Sequence, residues 1–594
     1  MYLSELKLWN FRKYGNPDWD LAKPHLLVPF NSGTNVLIGE NDSGKTAILD
    51  AIKYVLKTHA FEWIKIGKDD FYKNSDKLRI ELFFEGFNDD EAKNFTEWLG
   101  WTGEGETAKP ILRLILFAER NSSRILPYEV KAGMDEMGLA LNADAKDYLK
   151  ATYLKALRDA NNELIAKKNS RLSQILQGHE LFKQQGVEHD FEQWFSETND
   201  KIKSWFNDDS GERSNKKQIK DVIDKFLKAF IDDSVSSELK LTEPEIKAIL
   251  EKISLGIEGL TNLGLGTMNR LYMATELLHL KRDWGGLKLG VIEELEAHLH
   301  PQAQMKVIEA LQNDKDVQFI LTTHSPNLAS KINLHNLILC KNNDVFPLGE
   351  DSGSTKNKTD KYTKLEKKDY KYLERFLDVT KSNLFFAKGV IIVEGWAEEI
   401  LIPAIAKQIQ CDLTKHEVSI VNVGSTAYLH FAKIFLRNDG KEVDIPVSVI
   451  TDLDIRPNSK GVFDEKDEEN KRKSINRDFV DFNKSKVILK IAKQWTLEWG
   501  LYKSPVLSKL FKQAVFKVHN KTDEFEPDDK GDFKPEFEAK FIQKLAKKEG
   551  TSPLDKVRIA SELALLIEEE KPDFSVKDGF LEYIIDAIKH ACCK

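Results

Sequence analysis

The sequence predicts an α/β fold in two parts: a phosphate-binding domain interrupted by a helical insertion, then a second α/β domain with an acidic site. Three observations predict it. Near the start, the apolar strand Asn35-Val36-Leu37-Ile38 runs into Gly39-Glu40-Asn41-Asp42-Ser43-Gly44-Lys45-Thr46 and then a helical stretch, 47–56, the strand–loop–helix context that G-x-x-x-x-G-K-[ST] requires. In the last third, two apolar strands end in carboxylates, Gly389-Val390-Ile391-Ile392-Val393-Glu394-Gly395 and Val447-Ser448-Val449-Ile450-Thr451-Asp452-Leu453-Asp454. Between residues 140 and 249 strand signals vanish, and segments rich in Lys, Glu, Gln and Leu with helical spacing take over, such as 148–166 and 218–230.

Composition frames the reading without deciding it. At 594 residues the chain exceeds a single core. It is 41% hydrophobic and 31% charged, with no apolar run near the eighteen or so residues of a membrane span. The first residues alternate like a strand and lack the apolar region of a signal peptide. Four cysteines, Cys340, Cys411, Cys592 and Cys593, include no C-x-x-C pair. The expectation is a cytoplasmic protein without membrane attachment or structural zinc. A net charge of −8 provides no global basic field, so any nucleic acid must be gripped by local patches and metal.

The elements follow in order. Residues 1–140 alternate short strands with turns and are assigned to the N-terminal part of the first domain. In the loop, Gly39 and Gly44 let backbone N–H groups wrap phosphates, with Asn41 and Ser43 between them. Lys45 supplies a point charge to the β/γ-phosphates of ATP, and Thr46 is placed to hold Mg²⁺. Residues 141–249 read as the insertion, whose expected use is dimerisation. Residues 250–380 complete the domain. Within them Leu289-Gly290-Val291-Ile292 ends in Glu293 and Glu294, one acid for the Mg²⁺ shell and the next to orient an attacking water. The following strand ends Thr322-Thr323-His324-Ser325, where His324 can reach the γ-phosphate. Leu263-Gly264-Leu265-Gly266-Thr267-Met268-Asn269-Arg270 precedes a helix, and the glycine-flanked N-terminus, at Gly264 and Gly266, reads as a ready anion site or as a plain loop capping a core helix. Polar residues 341–371, with Ser/Gly-rich 352–356, read as linker, placing a boundary near 380.

Residues 381–594 form the second domain. Alternate residues of a strand face one side, so Asp452 and Asp454 are expected to point together, with Glu394 beside them at the carboxyl ends of the strands. Three converging acids call for a hard cation with oxygen ligands, Mg²⁺ or Mn²⁺. Glu398, in the first turn of the next helix, can face the same crevice, whereas Glu399 is expected to be solvated. Val421-Asn422-Val423-Gly424-Ser425 reads as the intervening strand and turn. The charged stretch 456–477 reads as a loop or a mobile flap.

The first half resembles the ATP-binding-cassette ATPases, in the branch with the long-armed chromosome and repair ATPases, and Asn10-Phe11-Arg12 and Glu296-Ala297-His298-Leu299-His300-Pro301 fit it. In that family the signature helix of one subunit meets the nucleotide held by another, which implies a dimer or dimer of dimers. Two departures stand out: Leu295 replaces the usual proline, and no Gln lid residue is evident. Glu394-Gly395 and Asp452-x-Asp454 resemble a Toprim domain. An ABC-type P-loop ATPase with a helical insertion followed by a Toprim domain is similar to the OLD (overcoming lysogenisation defect) family nucleases. Thr496-Leu497-Glu498 matches that family's [ST]-x-E element, which implies a second metal site at Thr496 and Glu498. Lys556-Val557-Arg558-Ile559-Ala560 matches its K-x-x-x-A element, which implies charge stabilisation by Lys556 at the scissile phosphate. The resemblance implies a two-metal DNA endonuclease gated by ATP, acting in antiphage defence alone or with a helicase or retron partner. The competing reading, a non-nuclease ATPase clamp or sensor with a degenerate Toprim fold, predicts loss of some acids, and none is missing. A topoisomerase or primase would need a tyrosine domain or a zinc ribbon, which no segment offers.

Overall fold

The structure is a computed structural model. It describes the chain except residues 59–63, 104–107, 122–123, 156–162, 183–188, 208–214, 232–233, 238, 240–244, 279, 282–285, 350–361, 459–461, 483–484, 520–524, 526, 528–535, 547–551 and 594. Among the described residues the strands form three sheets.

The central sheet of the first half runs Thr152–Leu154, Leu289–Ile292, Gln318–Thr323, Thr34–Ile38, Leu337–Lys341, Asp344–Pro347, parallel except for the last pair. Its strands read as continuous apolar runs because both faces are covered. One cover is the helix Lys45–Leu56, which buries Ile48, Leu49, Ile52 and Val55 against an antiparallel sheet built on Tyr2–Trp9, Lys77–Glu85 and Lys109–Asn121. Gln318 stitches the two sheets together. Its buried amide accepts from the Leu3 N–H and donates to the carbonyls of Leu3 and Asn31, at 2.8 Å each, as a neighbouring strand would.

Thr152–Leu154 corrects the sequence reading. It lies inside the stretch 148–166 expected to be helical, yet it pairs in parallel with Leu289–Ile292. The helix before it is short, Ala143–Tyr148, and residues 156–162 lie outside the described set. Three residues are too few to show a period of two, and the lysine-rich flanks hide them. Further on, 218–230 does lie within a helix, Asn215–Phe230, and Asp190–Asn207 precedes it.

The second half has a parallel sheet in the order Val418–Asn422, Gly389–Val393, Val447–Thr451, Val487–Ile491. Gly424, at φ 67, makes the turn expected after the first of these. The stretch 456–477 is not a loop throughout: Glu465–Asp478 is a helix, capped by Asp464, whose side chain accepts from the N–H groups of Lys466 and Asp467. It buries little besides Ile475, so it has no apolar stripe to reveal it. Lys473 and Glu469, one turn apart, pair at 2.6 Å.

The two halves share one apolar core, which joins Val36 and Ile38 to Val390, Ile392 and Val447 through Tyr370, Leu373, Leu384 and Phe385. Hence the polar segment after 341 is no slack linker where it is described; the candidate linker 352–356 lies outside the described residues. The hairpin Leu337–Lys341/Asp344–Pro347 acts as a clasp. Its turn residues Asn342 and Asn343 have φ 46 and 64, a region asparagine tolerates. Lys341 pairs with Glu40 of the phosphate loop, while Asn342 bonds Asp444, which also holds Lys486. Asp344 takes Lys441 at 2.6 Å, and Arg437 donates to the Pro347 carbonyl at 2.6 Å.

Candidate functional site

The phosphate loop has the backbone its glycines foretell. Gly39 and Gly44 sit at φ 140 and 103. A Cβ on Gly39 would lie 2.4 Å from the Cys340 carbonyl oxygen, and one on Gly44 would lie 2.0 Å from the Tyr14 hydroxyl. Buried Lys45 folds over the loop and donates to the carbonyls of Gly39 (2.9 Å) and Glu40 (2.6 Å) and to Ser43 Oγ (3.0 Å). Burial brings its ammonium down to about 8, against the opposing pull of Glu296 and Glu294. Asn41 and Thr46 are exposed at the rim.

The paired acids leave the end of Leu289–Ile292 on either side of a backbone kink. Glu293 accepts a hydrogen bond from the Tyr153 hydroxyl at 2.6 Å, a partner supplied by the unforeseen strand. Glu294 has φ 43, and its N–H donates to Thr322 Oγ1 at 2.9 Å. Burial raises its carboxyl, with Glu296 and Glu293 adding to the shift. Leu295, where the family has proline, donates its N–H to the Thr322 carbonyl at 3.2 Å, a bond proline could not make. Glu296, which sequence reasoning gave no role, accepts from the His324 N–H at 2.5 Å, and its other oxygen is buried without a partner. Burial lowers His324, Lys45 lowers it further, and its ring bonds to the Gly39 backbone. His324, Lys45 and the acids therefore surround one space. Gly264 is the N-cap of the helix Leu265–Leu277, and Gly266 packs on the loop after the acids, where a Cβ would come 2.8 Å from the His298 carbonyl oxygen.

At the second site the strand Val447–Thr451 stops one residue short of Asp452, so the same-face rule does not govern Asp452 and Asp454. Leu453 and Asp454 both donate N–H to the Trp495 carbonyl, at 3.0 and 2.8 Å, and Asp454 turns left-handed at φ 59. The acids consequently divide. Asp454, exposed, acts on Glu394, which bonds the Thr451 hydroxyl. Asp452 accepts from the Leu497 N–H at 2.9 Å and interacts foremost with Glu398 and Glu498. Thr496 donates to Glu498 at 2.9 Å, and Lys556, first residue of the helix Lys556–Glu570, pairs with Glu498 at 2.8 Å. The [ST]-x-E segment thus docks directly on Asp452 through the Leu497 N–H, and the K-x-x-x-A segment joins it through the Lys556–Glu498 pair. Glu399 is half-buried rather than solvated and accepts from Asn422 at 2.8 Å.

Charge in this pocket is out of balance. Burial and then Glu498 push Glu398 up to about 7. Burial raises Asp452 well above the carboxylate range, and Glu398 and Glu498 add to it. Burial also raises Glu394, with Asp454 adding and the Thr451 hydroxyl opposing. Burial works against the Lys556 ammonium, but Glu498, Asp452 and Glu398 together raise it. Among the described residues no three Asp, Glu, His or Cys side chains stand close enough to hold an ion as they are, because Glu394 is turned to Thr451 and Glu498 to Lys556. The donor chemistry nevertheless fits a hard divalent cation: every donor is oxygen, and buried Glu498 with half-buried Glu398 and Asp452 stands around one ammonium. A further residue escaped the sequence reading. The hydroxyl of Tyr583, near the C-terminal end of the chain, is buried without a partner in the field of these same acids.

Fold and sites together define a P-loop ATPase carrying a Toprim domain. The chain belongs to the AAA ATPase domain family, whose model matches residues 1–181 and 119–329, more than half of it. Residues 385–454 match the Toprim domain of overcoming lysogenization defect-like proteins, the arrangement of the OLD family. An endonuclease GajA of Bacillus cereus (strain HuB5-5) is 22% identical over 541 residues, covering 77% of this chain and 77% of that protein. An OLD nuclease of Thermus scotoductus is 30% identical over 199 residues, 32% of this chain and 34% of that one. The C-terminal region of the Xanthomonas campestris pv. campestris OLD protein aligns with a TM-score of 0.22 and 20% identity, covering 36% of this chain and 95% of that structure. No described helix is long and apolar enough to cross a membrane.

Proposed function

We propose that the chain is an ATP-regulated, divalent-metal-dependent DNA endonuclease. The observation that carries this reading is the convergence of the Thr496–Glu498 segment on Asp452, through the Leu497 N–H, with Lys556 paired to Glu498, which gathers Asp452 and Glu398, half-buried carboxylates of raised pKa, near one lysine. Mg²⁺ or Mn²⁺ would be held by Glu394, Glu398, Asp452 and Asp454, with Thr496 and Glu498 serving a second ion. When bound, such ions activate a water and stabilise the leaving oxygen of a phosphodiester. The chain's own contributions are distinct. The Leu497 N–H fixes one oxygen of Asp452, and Thr496 fixes one of Glu498. Lys556 supplies positive charge at the position where a phosphate's charge would build up. In the ATPase half, Lys45 would bind the nucleotide's phosphates, Thr46 and Glu293 would serve its Mg²⁺, and Glu294, whose carboxyl burial raises above its ordinary value, suits a base for the attacking water. The test is supercoiled plasmid incubated with the purified protein, with and without Mg²⁺, Mn²⁺ and ATP. Nicked or linear product that requires the metal is expected; intact plasmid under every condition rejects the reading.

The insertion is proposed to join two copies. Its helices Asp190–Asn207 and Asn215–Phe230 leave Trp194 57% and Phe230 78% exposed. Val222, Ile223, Phe226 and Phe230 follow the spacing of a single helix face. A patch of this kind marks an interface, and a cassette-type site needs a second copy to supply Gly264 and Gly266. A double variant, Phe226→Glu with Phe230→Glu, should be monomeric by light scattering at micromolar concentration while the parent protein is dimeric or larger. A monomeric parent, or a variant that stays dimeric, would remove the insertion from the interface.

A further inference from the structure

Tyr583 lies in the helix Glu582–Ala591, which packs across the strands Gly389–Val393, Val447–Thr451 and Val487–Ile491. The packing is close. Ser448 Oγ donates to the Ala587 carbonyl at 2.8 Å, and a Cβ on Gly389 would meet the Ala591 carbonyl oxygen at 2.0 Å. The helix that carries the tyrosine is therefore fixed on the sheet. Its side chain belongs to the core with Leu581, Ile584 and Ile588, and the residue is 8% exposed. The hydroxyl oxygen is sealed from solvent and has no hydrogen-bond partner. Ala591 lies against Gly389 and Ala587 against Ser448, so Tyr583, one turn earlier, lies toward the strand ends that carry Glu394 and Asp452. Burial, and then the field of Asp452, Glu398, Glu498 and Glu394, raises the phenol's pKa well above its ordinary value.

A phenol buried for packing alone would be better replaced by phenylalanine, because an unpaired buried hydroxyl is costly. The groups around it are acceptors when ionised, and a phenol can donate. We propose that Tyr583 is a positioning residue of the acidic site: its hydroxyl donates to a carboxylate oxygen of the cluster when the cluster holds its divalent cation, and so fixes which oxygen faces the ion. The inference rests on the reading of this cluster as a metal site. It follows a general pattern, in which partners behind the ligands orient them and their loss costs roughly 10–100-fold in metal affinity. No step of bond making is assigned to the tyrosine.

The test uses the full-length protein, Tyr583→Phe and Asp452→Asn. Mn²⁺ binding is measured by the electron paramagnetic resonance of the free ion, and thermal unfolding is followed in EDTA and in Mn²⁺. In EDTA, Tyr583→Phe should melt at or above the parent temperature, since an orphaned hydroxyl has been removed. In Mn²⁺ it should bind roughly 10-fold or more weakly and gain less from the ion. A variant that binds Mn²⁺ like the parent overturns the proposal, as does one that loses stability equally in EDTA and in Mn²⁺, the mark of a purely structural tyrosine. A parent protein that binds no Mn²⁺, or one that binds it undiminished in Asp452→Asn, fails at the metal site itself and takes the proposal with it.

Discussion

Asp452→Ala and Glu394→Ala should each lower metal-dependent DNA cleavage by at least ~100-fold while nucleotide binding survives. Partners behind metal ligands are worth about 10–100-fold, and a ligand should be worth no less. Asp452 stands at the centre of the acidic pocket, with Leu497 fixing one oxygen and Glu398 and Glu498 as its strongest charged neighbours. Its removal leaves those carboxylates repelling one another with a ligand fewer between them. Glu394 lies at the other wing, shared between Thr451 and the field of Asp454. Neither residue touches the phosphate loop, so nucleotide binding reports that the variants are folded. Cleavage at the parent rate in both would end the assignment of these acids to the metal site.

The second large effect is expected at the nucleotide. Lys45→Ala should weaken ATP binding by roughly 10- to 100-fold, the range of a charge-assisted hydrogen bond to phosphate. Glu294→Gln should leave binding nearly intact and slow turnover by about 100-fold or more, as loss of a general base does. The geometry separates these outcomes. Lys45 is already anchored on three loop oxygens and would meet the nucleotide's phosphates in the ground state. Glu294 is held by its backbone through Thr322, which leaves its carboxylate for water. Nucleotide dissociation constants and single-turnover hydrolysis check both, and normal hydrolysis by Glu294→Gln would move the base elsewhere, with Glu296 next in line.

Much of this was legible in the sequence because it is local. Gly39, Gly44 and Lys45 are spaced by the loop they form, and Glu394 and Asp452 follow directly from the apolar strands that carry them. What stayed hidden depends on contacts far apart in the chain. Tyr153 meets Glu293 through a three-residue strand that no periodicity could show. Glu296 was seen as part of a run, but its place beside His324 and Lys45 required the third dimension. Tyr583 sits 131 positions after Asp452, on a helix whose spacing announces only a buried face. The helix Glu465–Asp478 was missed for the opposite reason, since it buries too little to leave an apolar pattern. The same-face argument for Asp452 and Asp454 failed because the strand ends at Thr451, and backbone bonds to Trp495 set their directions instead.

The clasp at residues 341–344 also bears on how such chains can diverge. Lys341 and Asn342 are adjacent, yet Lys341 serves Glu40 and Asn342 serves Asp444, so neutral drift at one end is constrained by the other. Across homologous sequences, positions 40 and 341 should exchange charge together, and so should 344 with 441 and 444 with 486. A chimera that grafts the C-terminal half of one relative onto the ATPase half of another would inherit mismatched pairs unless the crossover lies upstream of Leu337 and Glu40 is matched as well. The unit of inheritance is then the pair of domains with its hairpin, and recombination at the polar stretch that looks like a natural seam would be selected against.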